Sequence, residues 1–146
     1  VLTVNDTRKR AMARKVANAL GGALFGKVIG LLGLTFKPDT DDMREAPSIP
    51  LVVGLQDMGA RVRAFDPAGM EQAKSELADV EYCTDAYECA RGADAIVIVT
   101  EWSEFRALDL NRLKSEMNQP VLVDLRNIYQ RDDVESCGFT YTGVGR

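Results

Sequence analysis

From residue 28 onward the apolar positions fall into short, dense runs: Val28–Leu34, Val62–Phe65, Val80–Cys83, Ala95–Thr100, Val121–Leu125 and Phe139–Thr142. Runs such as "AIVIV" and "PVLVDL" are nearly continuous in apolar residues, the mark of strands covered on both faces. Between them, Ser48–Met58, Met70–Leu77, Asp85–Arg91 and Leu108–Met117 read as helices, and Gly59 and Gly92 stand where such helices would stop. Strands alternating with helices through short connections predict right-handed crossovers. The expected fold class is α/β, a Rossmann-like, doubly wound and mostly parallel sheet.

Ahead of this pattern lies "NDTRKRAMARKVANALGG", with Asn5 or Asp6 as a helix cap and Gly21-Gly22 as a stop. Met12, Val16 and Leu20, flanked by Ala13 and Ala17, share one helical face, while Arg8, Lys9, Arg10, Arg14 and Lys15 lie mostly elsewhere and read as a solvated surface. The expected organisation is a helical extension over 1–26 and one α/β domain over 27–146. No repeat, low-complexity tract or linker interrupts it.

Composition narrows the function. A chain of 146 residues suits a single core. With 18 basic against 22 acidic residues and a net charge of -4, no basic footprint for nucleic acid exists, so a small molecule or another protein is the expected partner. No apolar run is long enough to span a membrane. Three cysteines at irregular spacing predict reduced thiols and a cytoplasmic protein. Histidine is absent, which removes the commonest general base and metal ligand, and leaves Cys83, Cys89 and Cys137 without a partner that would activate a nucleophile. No metal site is expected. Because the chain starts at Val1, a piece of a longer protein is expected.

In doubly wound sheets ligands sit beyond the carboxyl ends of the strands. That rule selects Thr35-Phe36-Lys37, Asp66-Pro67, Thr100-Glu101-Trp102 and Asp124 to Asn127. Lys37 offers a cation at the end of the first strand, suited to a phosphate; the ordinary alternative is pairing with Asp39, Asp41 or Asp42. Arg126 offers a planar fork for a phosphate or sugar hydroxyls, unless it pairs with Asp124 or Asp132. Arg44 is a third cation, unless Glu45 or Asp41 takes it. Asp66 stands where an acid often binds the ribose of NAD, but Gly30 and Gly33 do not complete G-x-G-x-x-G, so Asp66-Pro67 is read as a turn and helix cap. Trp102 and Phe105 are read as packing over the sheet edge.

The run "GLTFKPDTDDMREAPS", followed by "FDP", "TEW" and "DLRNIY", resembles the C-terminal domain of the UDP-glucose and GDP-mannose dehydrogenases. The similarity covers essentially the whole chain and is closest to members acting on UDP-glucose. It implies an NAD-dependent parent enzyme that oxidises the C6 alcohol of UDP-glucose to UDP-glucuronate in two hydride transfers, through an intermediate on a cysteine thiol. Phe36 and Lys37 match a substrate-binding pair, Arg126 a further substrate contact, and Arg44 an arginine reaching the NAD. The NAD itself would be held mainly by an N-terminal domain. The nucleophilic cysteine has no counterpart here, so this chain alone is expected to be inactive, and the parent to be a homodimer or larger. Three other readings remain: a family member acting on GDP-mannose, a regulatory domain binding a divalent ion at Asp39, Asp41 and Asp42, and a non-catalytic assembly module.

Overall fold

A computed structural model of the chain describes residues 4–35, 37–44 and 46–144, with the backbone alone for 4–10. Six strands build one sheet: β1 (Val28–Leu32), β2 (Arg61–Phe65), β3 (Val80–Tyr82), β4 (Ala95–Ile98), β5 (Val121–Asp124) and β6 (Thr140–Gly143). Their order is β3-β2-β1-β4-β5-β6, and every neighbouring pair is parallel, so the sheet expected to be mostly parallel is parallel throughout. The winding reverses between β1 and β4, which places the switch point beside the loops that follow those strands.

The dense apolar runs are explained by two cores, one on each face. Successive residues of a strand point to opposite faces. Leu31 and Val97 therefore enter one core and Leu32, Ile96 and Ile98 the other. On the first face lie α1 (Val4–Ala19) and α2 (Ser48–Asp57), meeting through Ala13, Val16 and Ala17 against Leu51, Val52 and Leu55. Alanines at 13 and 17 let the two helices approach closely. On the second face are α4 (Ala86–Ala90), α5 (Ser103–Arg106), α6 (Leu110–Glu116) and α7 (Arg131–Ser136), with Cys89, Phe105, Leu113 and Val134 buried. Each fully buried Leu or Ile contributes about 1.5–3 kcal/mol relative to exposure.

Boundaries depart from expectation where caps decide them. Asp109 accepts from the Arg112 N–H at 3.1 Å, so α6 begins at Leu110 rather than Leu108. The short α3 spans Met70–Lys74, ending before Leu77. Neither α5 nor α7 was expected, because each buries a single side chain and a lone apolar residue carries no helical period.

Asp94, just before β4, joins two elements at the amino edge of the sheet. Its carboxylate accepts from the Val28 N–H at 2.9 Å and from the Asn118 and Gln119 amides at 2.6 and 3.0 Å. Burial pushes its pKa up, but these donors outweigh it and hold the group below the ordinary aspartate value of 3.8. A depressed folded pKa stabilises the fold fully above the unfolded value, and that stability is lost as pH falls through the folded one. Asp94→Ala should cost about 2 kcal/mol at neutral pH. Chemical denaturation should show this difference shrinking below about pH 4, where the wild-type carboxylate protonates.

Candidate functional site at the carboxyl edge

Asp66, directly after β2, organises the carboxyl edge. It is fully buried. Its Oδ2 accepts from the Leu34 and Thr35 N–H groups at 2.7 and 3.1 Å and from the Trp102 indole at 3.2 Å. Its Oδ1 accepts from the Ala68 and Gly69 N–H groups at 2.9 and 2.7 Å. The turn expected here is therefore present, the N-cap of α3 (Met70–Lys74) falls to Gly69 instead, and the turn is only part of what Asp66 does. One carboxylate also fixes the loop after β1 and the loop after β4. With both oxygens occupied, Asp66 is not available to a ribose.

Further bonds hold the turn after β1. The Ser48 hydroxyl, at the start of α2, donates to the Leu34 carbonyl at 2.6 Å, and the Thr100 hydroxyl donates to the Thr35 carbonyl at 2.8 Å. Gly33 makes this approach possible. Its φ is +101°, and a Cβ there would lie 2.5 Å from the Thr100 Cβ and 2.6 Å from its backbone nitrogen. The carboxyl-edge rule selects Thr35 and Thr100 but not Ser48, whose role appears only when the start of α2 lies against the turn after β1.

The predicted cations emerge from this framework. Lys37 is exposed just beyond the pinned turn, its carbonyl accepting from the Thr35 hydroxyl at 2.9 Å. Among the described residues it has no ion pair, so pairing with Asp39, Asp41 or Asp42 is not what the structure shows. Phe36 lies outside the described residues. Arg44 is paired, though with Asp42 rather than Asp41: Nε and a terminal nitrogen each lie 3.0 Å from a carboxylate oxygen. The Arg44 side chain and its backbone N–H hold the exposed Asp42 carboxyl at about 2, with Lys37 assisting. Asp41 accepts from Gln72 at 2.8 Å, so the acidic loop rests on α3.

Arg126 follows β5 on the same edge. Its backbone N–H donates to Asp124 at 3.1 Å, but its guanidinium pairs through Nε with Glu101, after β4, rather than with Asp124 or Asp132. Asp124 is committed inward, accepting also from the Tyr129 N–H at 3.1 Å and the Tyr141 hydroxyl at 2.9 Å. The Tyr129 hydroxyl donates to the Phe105 carbonyl, and burial raises its pKa well above the usual tyrosine value. Trp102 and Phe105 pack as expected, the latter edge-on to Phe65 with ring centroids 6.2 Å apart.

Other features lie apart from this edge. Cys83 and Cys89 are buried and Cys137 half-buried, and the Cys89 thiol faces the Leu31 carbonyl at 3.6 Å. A cleft of about 680 Å³ opens at the opposite, amino edge, lined by Arg61, Arg63, Glu81 and Arg91 among others. Two of its arginines are already paired, Arg63 with Glu81 and Arg91 with Glu116. Among the described residues, no helix is long and apolar enough to cross a membrane.

An all-parallel sheet wound in this order defines an α/β domain of the Rossmann class. The family model described as the UDP-glucose/GDP-mannose dehydrogenase family, UDP binding domain, matches residues 30–131, and the chain belongs to that family. It is 57% identical over 145 residues to a UDP-glucose 6-dehydrogenase of Rhizobium meliloti, covering 99% of this chain and 33% of that protein. A UDP-glucose 6-dehydrogenase of Bacillus subtilis, YwqF, is 42% identical over 147 residues, again with 33% of its length covered. Among solved structures, an NDP-N-acetyl-D-galactosaminuronic acid dehydrogenase from Methanosarcina mazei superposes with a TM-score of 0.83 at 31% identity, over 97% of this chain and 30% of that one. A UDP-glucose dehydrogenase from Pyrobaculum islandicum gives 0.76 at 31%, over 96% and 30%. The chain thus spans about a third of the length of the relatives it matches.

Proposed function

We propose that this chain is the nucleotide-sugar-binding part of an NAD-dependent UDP-glucose 6-dehydrogenase, with 1–26 a helical extension and 27–146 the binding domain. The observation that carries this reading is the division of labour at the carboxyl edge. Asp66 and Asp124 turn their carboxylates inward to fix the loops, while Lys37 and Arg126 remain at the surface to meet an anion. An ammonium and a guanidinium suit the diphosphate and hydroxyls of a UDP-sugar. Phe36 is assigned to the same ligand by its match to the family's substrate-binding pair.

NAD, when bound by the rest of the enzyme, supplies the hydride acceptor. This chain's own contribution is to bind and orient the sugar nucleotide so that its C6 faces that acceptor. Arg44 would extend toward the cofactor, sharing its charge between Asp42 and a phosphate. Hydride transfer and thiol chemistry both need groups outside this chain, so the chain alone is inactive. A cytoplasmic setting and a homodimeric or larger assembly complete the proposal.

Lys37→Ala, in a full-length enzyme, should weaken UDP-glucose binding by one charge-assisted contact, about 1.5–3 kcal/mol, or roughly 10- to 150-fold in Kd. Arg126→Lys should weaken it too, since the fork is lost although the charge remains. Calorimetric titration with UDP-glucose checks both. Unaltered affinity in the two variants would refute the assignment and favour a purely structural or assembly role for this domain.

A further inference from the structure

Three consecutive residues leave β4 toward three different strand ends. The Thr100 hydroxyl donates to the Thr35 carbonyl after β1 at 2.8 Å, and the Trp102 indole donates to Asp66 after β2 at 3.2 Å. Between them, the Glu101 carboxylate accepts from Arg126 Nε after β5. Glu101 is therefore tied through both chain neighbours to the buried framework, and its side chain is only 24% exposed against 38% for Arg126. A pair of long, freely moving surface side chains gains little from meeting, because both must be ordered. Here one partner stands on a backbone already fixed on either side.

We infer that Glu101 is a positioning residue: by holding Nε it sets the plane of the Arg126 guanidinium, leaving the terminal nitrogens to donate to the nucleotide sugar. Among the described residues those terminal nitrogens have no other hydrogen-bond partner. The inference rests on the reading of Arg126 as a substrate contact. Two effects oppose each other, since a carboxylate beside the arginine also weakens its pull on an anion. That pull acts through a solvent-exposed, salt-screened setting, whereas directed donation by an arginine fork depends on orientation at short range. Orientation therefore dominates, and removing Glu101 weakens binding.

The test is a double-mutant cycle in the full-length dehydrogenase that carries this domain, with KM and kcat measured on UDP-glucose. Arg126→Ala should raise KM by about tenfold or more. Glu101→Ala should raise KM about fivefold with kcat within about twofold, and Glu101→Gln, which keeps an acceptor oxygen, should recover most of the loss. In the Arg126→Ala background, Glu101→Ala should add less than about twofold. An unchanged or lowered KM in Glu101→Ala, with Arg126→Ala impaired, would overturn the positioning role while leaving Arg126 as a substrate contact. Equal rises in both backgrounds would also overturn it, since they would mark a general structural defect. An unchanged KM in Arg126→Ala would overturn the reading of Arg126 itself, and the inference with it.

Discussion

Replacing Asp66 with alanine should destabilise the domain by about 4 kcal/mol, lowering the melting temperature by roughly 8–16 °C for a domain of this size. The change strips the acceptor from five buried or half-buried N–H donors, spread over the loops after β1, β2 and β4. Leaving buried donors without an acceptor costs more than the bonds themselves contributed. Asp66→Asn should recover little, because its amide would direct donors at groups that are themselves donors. Thermal and urea unfolding of the three proteins decides the matter. A loss below about 1 kcal/mol in Asp66→Ala would mean that water replaces the carboxylate at no great cost, and that Asp66 is not the centre of the edge.

Gly33→Ala should come close in size, at about 3 kcal/mol, through a different cause. A side chain there is strained at a φ of +101° and also meets the backbone of Thr100. Relief requires β4 to move away from the turn after β1, which would break the Thr100 to Thr35 bond and shift Glu101 with it. A weaker UDP-glucose affinity should accompany the loss of stability. If unfolding experiments showed Gly33→Ala to be as stable as the parent, the close approach of the two strand ends would be wrong.

The sheet and its winding were legible because burial on both faces leaves a direct trace. A strand such as Ala95–Ile98 has no solvent face, so its sequence has no polar alternation. The same logic predicts the loops at the carboxyl edge, where the structure places Lys37 and Arg126. Partners were less legible. The sequence offers Asp124 or Asp132 as the alternative partners of Arg126, but Glu101 comes from a different strand end, and only the adjacency of β4 and β5 brings the two together. The turn expected at Asp66 is present, although Gly69 rather than Asp66 stands at the N-cap of α3, and the grip of Asp66 on Leu34, Thr35 and Trp102 depends on contacts more than thirty residues away. The small helices α5 and α7 left no trace, because neither buries enough side chains to impose a period.

The pinned turn at Gly33 to Thr35 also determines where the entropic cost of binding falls. Its backbone is held by Asp66, Ser48 and Thr100, so a ligand arriving at this edge need not immobilise it. The freedom left to lose belongs to exposed side chains such as Lys37, at about 1.5–2 kcal/mol for a long cation fully fixed. On the proposed reading, much of the ordering needed for recognition is thus completed when the chain folds, and stabilising the β1–β4 junction would reach affinity only weakly, whereas stiffening the segment from Lys37 to Arg44 in its bound shape would reach it directly.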